Sequence, residues 1–213
     1  MKEKDVKVTS PKNYGLLEYK LSNQELDYVW RCIKDKKENV NDQLAGNISE
    51  SNRLSDKSDW FWMNVIQHLV IRYCKEFGNP GDRSPNNQRH PYYLHTWWVN
   101  YQKQYEFNPM HDHNGVYSFV IWMKIPTFWK EQSKLPIAFN SNNEIDIISN
   151  FQLEYQDILG RSRKITYMMS PEKEGTMIFF PSQLQHVVYP FYNCDEDRIS
   201  VSGNVLINTT KRL

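Results

Sequence analysis

The stretch Asn108-Pro-Met-His-Asp-His-Asn-Gly-Val-Tyr-Ser-Phe-Val-Ile-Trp-Met123 joins a histidine-rich segment to an apolar run that is typical of a buried strand. Short runs rich in β-branched and aromatic residues continue through this half of the chain, separated by turns. The predicted strands are 95–101, 116–125, 151–155, 164–168, 176–180, 186–189 and 199–207. Gly160-Arg161 predicts a hairpin turn. Many short strands at roughly even spacing favour a barrel or a sandwich.

The first half of the chain is predicted to be helical. Ser22 and Glu25 have the spacing of a capping box, in which each side chain accepts a hydrogen bond from the other residue's backbone N–H. The helix that follows is expected to end near Lys37, and apolar residues at helical spacing predict a second helix over 59–77. Helices followed by strands predict an α+β fold with the helices packed on one sheet.

Length and composition limit the domain organisation and the class of function. A single domain over residues 1–213 is expected, with a helical part over about 1–90 and a β-rich core over about 91–208. The chain has 26 basic and 25 acidic residues and a net charge of +1, so it lacks the basic excess of a nucleic-acid-binding protein. No apolar run approaches the roughly 18 residues that a membrane span requires.

The cysteines and the N-terminus bear on the expected location. Cys32, Cys74 and Cys194 are odd in number and far apart, which disfavours a disulfide framework and a zinc site. The segment Met1–Lys7 is charged and has no signal-peptide core. A cytoplasmic protein is therefore expected.

Three of the six histidines have the spacing of a metal site. His111 and His113 are two residues apart, so on an extended chain both imidazoles point to one face and Asp112 points to the other. His186 follows a predicted strand end much later in the chain. Three ligands on one face of an ion leave three positions for co-substrates, as non-haem iron(II) oxygenases require. Asp112 is the alternative third ligand if the strand bulges here.

A possible anion site follows the third histidine. Arg198-Ile-Ser200 lies twelve residues after His186, and on a strand the guanidinium and the hydroxyl would share a face. An arginine fork binds a carboxylate through two parallel hydrogen bonds. The combination of this motif with His186 predicts a ligand that carries a carboxylate at its far end.

These motifs resemble those of the 2-oxoglutarate/iron(II)-dependent oxygenases, and most closely the oxygenase family related to prolyl hydroxylases, which includes versions carried by bacterial viruses. The matching stretches are Trp98-Val-Asn100, His111-x-His113-x-Gly115, Ser118-Phe-Val-Ile-Trp-Met123, Gly175 through His186, Arg198-Ile-Ser-Val-Ser-Gly-Asn204 and, in the first half, Leu44-Ala-Gly-Asn-Ile-Ser49. The resemblance implies a double-stranded β-helix core over about 91–208. For a virus-encoded protein, the expected location is the host cytoplasm.

The resemblance also implies the cofactors and the reaction. Iron(II), 2-oxoglutarate and O₂ would hydroxylate a substrate and yield succinate and CO₂, with iron held by His111, His113 and His186. The 5-carboxylate of 2-oxoglutarate would reach Arg198 and Ser200. Further cofactor contacts are expected from Asn100 or Tyr101 and from Trp122. No catalytic side chain beyond the metal ligands is expected, because the iron and the co-substrate carry out the oxidation.

Several alternatives remain open at this point. The broad superfamily has a carboxylate where this chain has His113, so a three-histidine dioxygenase that acts on a thiol without 2-oxoglutarate is an alternative, as is a barrel that only binds a ligand. The substrate is a peptidyl proline, a free amino acid or another metabolite. The polar segments 38–57 and 79–92 are candidates for a lid. The sequence leaves the oligomeric state open.

Overall fold

The computed structural model describes residues 6–10, 13–80, 90–139 and 147–211. Its helices are α1 (Asn23–Lys34), α2 (Gln67–Phe77), which continues a π-helical turn at Trp62–Ile66, and the short α3 (Trp129–Gln132). The capping box of α1 is present: Ser22 Oγ accepts from the Glu25 backbone N–H, and the Glu25 carboxylate accepts from the Ser22 backbone N–H. Helix α1 ends three residues before the predicted Lys37.

Ten strands form two antiparallel sheets within the described residues. They are β1 (Leu17–Lys20), β2 (Glu50–Arg53), β3 (Tyr92–Gln102), β4 (Asn108–His111), β5 (Tyr117–Lys124), β6 (Phe151–Gln156), β7 (Ser162–Tyr167), β8 (Thr176–Pro181), β9 (Gln185–Val188) and β10 (Arg198–Ile207). The larger sheet has the order β1-β8-β5-β10-β3-β2, and the smaller has the order β4-β9-β6-β7. This is the predicted α+β fold with a double-stranded β-helix.

Two apolar clusters hold the layers together. In the first, α1 and α2 pack on the outer face of the larger sheet, where Phe61 stacks on Trp97 with ring centroids 5.0 Å apart. In the second, residues such as Trp122 and Phe151 meet between the two sheets. The alternation of side chains along each strand lets β5 and β10 contribute to both sides of the larger sheet.

The N-terminal part contributes strands as well as helices. Strand β1 pairs with β8, and β2 pairs with β3, so that each forms one edge of the larger sheet. The part predicted to be helical, over about 1–90, therefore contains two strands as well. Both strands are four residues long, and the polar sequence of β2 carries no alternating apolar pattern. In β1, Leu17 and Tyr19 pack against the first apolar cluster, whereas β2 is held by its backbone pairing with β3.

Gly203 on β10 offers a test of this packing. An added Cβ would lie 2.5 Å from Phe119 Cζ and 2.8 Å from Trp97 Cβ. We expect Gly203→Ala to lower the free energy of unfolding by about 1–3 kcal/mol, because overpacking a dense core forces side chains to shift. Denaturant unfolding measures this change, with Ser202→Ala on the opposite face of the same strand as the control. Equal stability of Gly203→Ala and the wild type would contradict the packing described here.

Candidate metal centre

Three imidazoles meet at one end of the smaller sheet. His111 on β4 lies directly opposite His186 on β9, and their ring centroids are 4.2 Å apart. The chain turns after β4, and His113 Nε2 lies 3.1 Å from His186 Nε2. One ring nitrogen from each histidine lies within 4.8 Å of the other two. The structure thus brings the three predicted ligands close enough together to share one metal ion.

Backbone carbonyls fix the orientation of two of these rings. His111 Nδ1 lies 2.7 Å from the carbonyl oxygen of Pro109, and His186 Nδ1 lies 2.9 Å from that of Leu184. A carbonyl oxygen can only accept a hydrogen bond, so each Nδ1 carries the proton and each Nε2 keeps its lone pair. Metal-binding histidines generally have this arrangement, which orients the ring and sets the tautomer.

Aromatic side chains surround the cluster. The ring of Phe180 packs edge-on against His186 at 5.0 Å between centroids, and Phe151 does so at 5.9 Å. Trp98 makes a similar contact with His113 at 5.9 Å. These rings keep water away from the inner side of the cluster.

This burial keeps the imidazoles neutral. Burial, with a smaller contribution from the nearby His111, lowers the pKa of His186 to about 3. Burial likewise lowers the pKa of His113 to about 4 and lowers the pKa of His111. A neutral imidazole offers a lone pair to a metal ion, whereas an imidazolium does not. The cluster is therefore ready to bind a cation at neutral pH.

His113 reaches the cluster from a turn rather than from a strand. Strand β4 ends at His111, and the backbone N–H of His113 donates to the carbonyl oxygen of Ser182 at 2.9 Å. Even so, His111 and His113 point to the same place, and Asp112 between them is exposed. Asp112 is not part of the cluster, so the three close donors are all neutral.

A cavity of about 290 Å³ opens beside the histidines, between the sheets. Its wall on the larger sheet includes a row of residues that are cross-strand neighbours on β5, β10, β3 and β2, namely Trp122, Ser200, Asn100 and Ser51. Ser51 Oγ donates to Asn100 Oδ1 at 2.8 Å, which leaves the Asn100 amide nitrogen as the donor. Three of the five predicted cofactor residues therefore line one cavity.

Tyr101 lies outside this cavity. Successive residues of a strand point to opposite faces, so Tyr101 faces away from Asn100. Its ring packs against the first apolar cluster, which α1 and α2 form with the outer face of the larger sheet. Lys36 Nζ lies 4.4 Å from the ring centroid. Of the two residues expected to bind the co-substrate from this position, only Asn100 has access to the cavity.

Arg198 is buried one row beyond Ser200, and its guanidinium donates hydrogen bonds to neutral groups. Its side chain is 1% exposed, and it is not among the residues that line the cavity. Nε and Nη2 donate to Gln102 Oε1 at 3.1 and 2.9 Å, Nη2 also donates to the Tyr189 carbonyl at 2.7 Å, and Nη1 donates to the Ser149 carbonyl at 2.6 Å. Of the two residues predicted to bind the carboxylate, Ser200 lines the cavity and Arg198 does not.

The reason for this difference is local. Strand β10 pairs with β3 in regular register here, with Arg198 opposite Gln102 and Ser200 opposite Asn100, so alternation places both side chains on one face of the strand. The irregular pairing with β5 adds a residue on β5 and leaves the alternation of β10 intact. Ser200 joins the cavity row, whereas Arg198 lies one row further along, at the start of the strand. Sequence spacing alone does not show where along this face the cavity ends.

The guanidinium of Arg198 lacks an anionic partner in the described part of the chain. Burial lowers its pKa to about 9, and no charged neighbour among these residues raises it. The group remains protonated at neutral pH. A buried charge without a counter-ion is costly, and an anion that binds nearby would reduce that cost.

Other cavity residues were missed in the sequence. Ser202 and Asn204 follow Ser200 at alternate positions of β10 and line the same wall. The alternation of small polar residues in Arg198-Ile-Ser-Val-Ser-Gly-Asn204 could have revealed them. Residues of the N-terminal part, including Leu44 and Ile48, also line the cavity. The family resemblance of Leu44-Ala-Gly-Asn-Ile-Ser49 and the lid prediction for 38–57 pointed to this segment, but not to these individual side chains.

Comparison with protein families identifies the chain. A family model described as "Putative 2OG-Fe(II) oxygenase" matches residues 96–204, just over half of the chain and all but the edges of the β-rich core. The chain belongs to this family. The oxygenase is therefore an enzyme that uses iron(II), 2-oxoglutarate and O₂, as the motif resemblance implied. No curated protein sequence matches it.

Solved structures support the same fold. An oxidoreductase of the 2OG-Fe(II) oxygenase family from Burkholderia pseudomallei matches with a TM-score of 0.56 and 13% identity over 90% of this chain and 85% of that one. The carbocyclase SnoK from nogalamycin biosynthesis matches with a TM-score of 0.53 and 8% identity, over 92% of this chain and 80% of SnoK. A Pseudomonas putida prolyl-4-hydroxylase matches with a TM-score of 0.51 and 11% identity, over 92% of this chain and 94% of the hydroxylase. At these identities the likeness concerns the fold alone.

The residues present fit the cofactors of the family. Three neutral imidazole nitrogens can bind iron(II), which accepts nitrogen donors. A buried guanidinium without a counter-ion suits the distal carboxylate of a dicarboxylic acid. Among the described residues, no helix is long and apolar enough to cross a membrane.

The histidine cluster can be tested by metal binding. We expect His113→Ala or His186→Ala to weaken anaerobic iron(II) binding by more than about 100-fold, because removing a ligand costs more than the 10–100-fold loss typical of an outer-shell change. Asp112→Ala is the matched control, and its iron(II) affinity should stay near that of the wild type. Calorimetric titration gives the dissociation constants. A loss in Asp112→Ala equal to that in His113→Ala would contradict the assignment.

Proposed function

We propose that the oxygenase hydroxylates a proline residue within a peptide, with succinate and CO₂ as co-products. The observation that carries the oxidative part of this proposal is the convergence of His111, His113 and His186 on one point beside a cavity. The proline assignment rests on the motif resemblance to prolyl hydroxylases and is consistent with the likeness to the Pseudomonas putida prolyl-4-hydroxylase. A free amino acid is the principal competitor.

The three histidines would hold the iron on one face. The Nε2 atoms of His111 and His186 carry the free lone pairs, because Nδ1 of each is used by a backbone carbonyl. When bound, the iron with 2-oxoglutarate and O₂ supplies the oxidation of a C–H bond. The chain itself positions the reactants and excludes water, and we assign no further catalytic side chain.

The co-substrate would occupy the cavity row on β10 and β3. The Ser200 hydroxyl and the Asn100 amide are the polar groups of that row that we assign to 2-oxoglutarate, with Trp122 as an apolar wall beside them. Arg198, two residues before Ser200, would attract the 5-carboxylate by its unneutralised charge. This attraction would explain why a cation is buried at this end of β10, one row from the residues that we assign to 2-oxoglutarate.

The three-histidine set also favours one alternative function. Enzymes that oxidise thiols with a neutral ligand set have no need of 2-oxoglutarate. The family match and the guanidinium both favour the 2-oxoglutarate reaction. A barrel that only binds a ligand would have no need to keep all three histidines together.

We also propose that residues 1–213 act as one oxygenase domain. Buried residues of α1 and α2 share a cluster with those of β5 and β10, and β1 and β2 extend the larger sheet. The three cysteines are free thiols, which agrees with the cytoplasmic location that we propose.

The reaction can be tested directly. We expect the purified chain to form succinate in amounts that depend on iron(II), 2-oxoglutarate and O₂ together, and His186→Ala to form none. Pools of proline-containing peptides and of free amino acids should be screened for stimulation, with mass spectrometry detecting a product heavier by one oxygen atom. Iron-loaded wild type that oxidises a thiol without consuming 2-oxoglutarate would contradict the proposal and support the alternative.

Two serines of β10 allow a matched test of how the co-substrate binds. We expect Ser200→Ala to raise the KM for 2-oxoglutarate by about tenfold or more, since a hydrogen bond to a charged group contributes about 1.5–3 kcal/mol. Ser202→Ala, on the same face but in the next row, should leave that KM unchanged. Succinate formation at varied 2-oxoglutarate concentrations measures both values. A larger effect from Ser202→Ala would contradict the assigned row.

A further inference from the structure

The segment 44–49, called the strap from here on, joins the edges of the two sheets. It leads directly into β2, which is one edge of the larger sheet, and it pairs with Phe107, just before β4 at one edge of the smaller sheet. The Asn47 N–H donates to the Phe107 carbonyl at 2.8 Å, and the Phe107 N–H donates back at 3.4 Å. The strap therefore closes the gap between β2 and β4.

The strap is also a wall of the cavity. The residues of the strap that line it are Leu44, Ala45, Gly46 and Ile48. Besides the Asn47–Phe107 pair, its hydrogen bonds within the described residues are three: the Leu44 N–H donates to the Asn41 carbonyl at 3.2 Å, the Ser49 N–H donates to Glu106 Oε1 at 3.0 Å, and Asn41 Nδ2 donates to the Ser49 carbonyl at 2.6 Å. A wall with so few anchors can separate from β4 without disturbing either sheet.

Gly46 allows the strap to come this close. A Cβ at position 46 would lie far inside van der Waals contact with Asn108 Oδ1 on β4. Position 46 has no left-handed backbone that would itself require glycine. The absence of a side chain therefore serves the close approach to Asn108.

The closed strap seals in polar atoms that lack partners. Within the described residues, four buried side-chain polar atoms have no hydrogen-bond partner, and three of them belong to residues that line the cavity. Two of these three, Asn41 Oδ1 and Asn108 Oδ1, belong to residues that contact the strap. An unpaired buried acceptor is unfavourable, and water would satisfy both atoms once the strap opened. The two unpaired oxygens therefore offset part of the stability that the packing of the strap gives to its closed position.

We propose that the strap is the movable wall through which substrate enters and against which it is held, and that the contact of Gly46 with Asn108 sets the closed position. Leu44 and Ile48 then contact the substrate from the strap. The part of this inference that concerns substrate rests on the proposed function. The movement of the strap stands on the contacts alone and can be measured without substrate.

Hydrogen exchange of single backbone amides tests the movement in the full-length chain. In the wild type, we expect the Asn47 amide to exchange faster than the Val201 amide in the centre of the larger sheet. Gly46→Ala should speed exchange at Asn47 by about tenfold, equivalent to about 1.4 kcal/mol and within the range for forcing a methyl group into a packed contact. Asp42→Ala, at an exposed position that does not line the cavity, is the control and should have no effect.

A second substitution shows whether Gly46→Ala acts through the contact with Asn108 or through a general loss of stability. Asn108→Ala removes the atom that the methyl group added at position 46 would meet, and it also removes an unpaired oxygen. The double variant of Gly46→Ala with Asn108→Ala should therefore return Asn47 exchange to the wild-type rate. A double variant that exchanges as fast as Gly46→Ala would overturn the proposal, as would Asn47 exchange as slow as that of Val201. Wild type that forms no succinate would contradict the proposed function, while the exchange rates would still decide whether the strap moves.

Discussion

The antiparallel pairing of β4 with β9 is the constraint on which the rest of the site depends. It puts His111 opposite His186, and the turn that follows β4 brings His113 to the same point. Three imidazoles in contact would be unfavourable if they were charged, and burial among aromatic rings keeps them neutral. The smaller sheet therefore fixes the metal site, while the larger sheet supplies the opposite wall of the cavity.

The second physical feature is a buried positive charge without a negative partner among the described residues. Arg198 binds only carbonyl and amide oxygens, which satisfy its hydrogen bonds but not its charge. A protein core that needs only a hydrogen-bonding group at this position does not need a cation. We propose that an anionic co-substrate beside Ser200 accounts for both the charge and the position. The neutral ligand set and this cation would then favour dianionic ligands when iron is bound.

Much of this arrangement could be predicted from the sequence, since the long strands have clear apolar patterns. The runs at Tyr117–Lys124 and Arg198–Ile207 combine apolar content with turns on both sides, and the capping box marked α1. The three histidines could be grouped because strand spacing and a family motif agreed. Short edge strands could not be predicted, because β2 has four polar or charged residues and owes its pairing to β3.

The misplaced residues have equally specific causes. Tyr101 was considered together with Asn100 because the two are adjacent in sequence, but adjacent strand residues face opposite sides. Arg198 and Ser200 share one face of β10, but Arg198 lies one row beyond the cavity wall, opposite Gln102, to which its guanidinium donates. The strap was treated as a polar loop, and its place against β4 depends on a backbone contact with Phe107. Most of the segment 79–92, the other lid candidate, lies outside the described residues.

The central claim is that three imidazoles, with no protein carboxylate, hold a ferrous ion. X-ray absorption spectroscopy of the anaerobic iron(II) protein tests it most directly, because imidazole rings scatter in a pattern that allows them to be counted. The account predicts three imidazoles on the iron, with oxygen donors only from water or from added 2-oxoglutarate. Two imidazoles together with a carboxylate, in a spectrum that changes in Asp112→Ala, would contradict it.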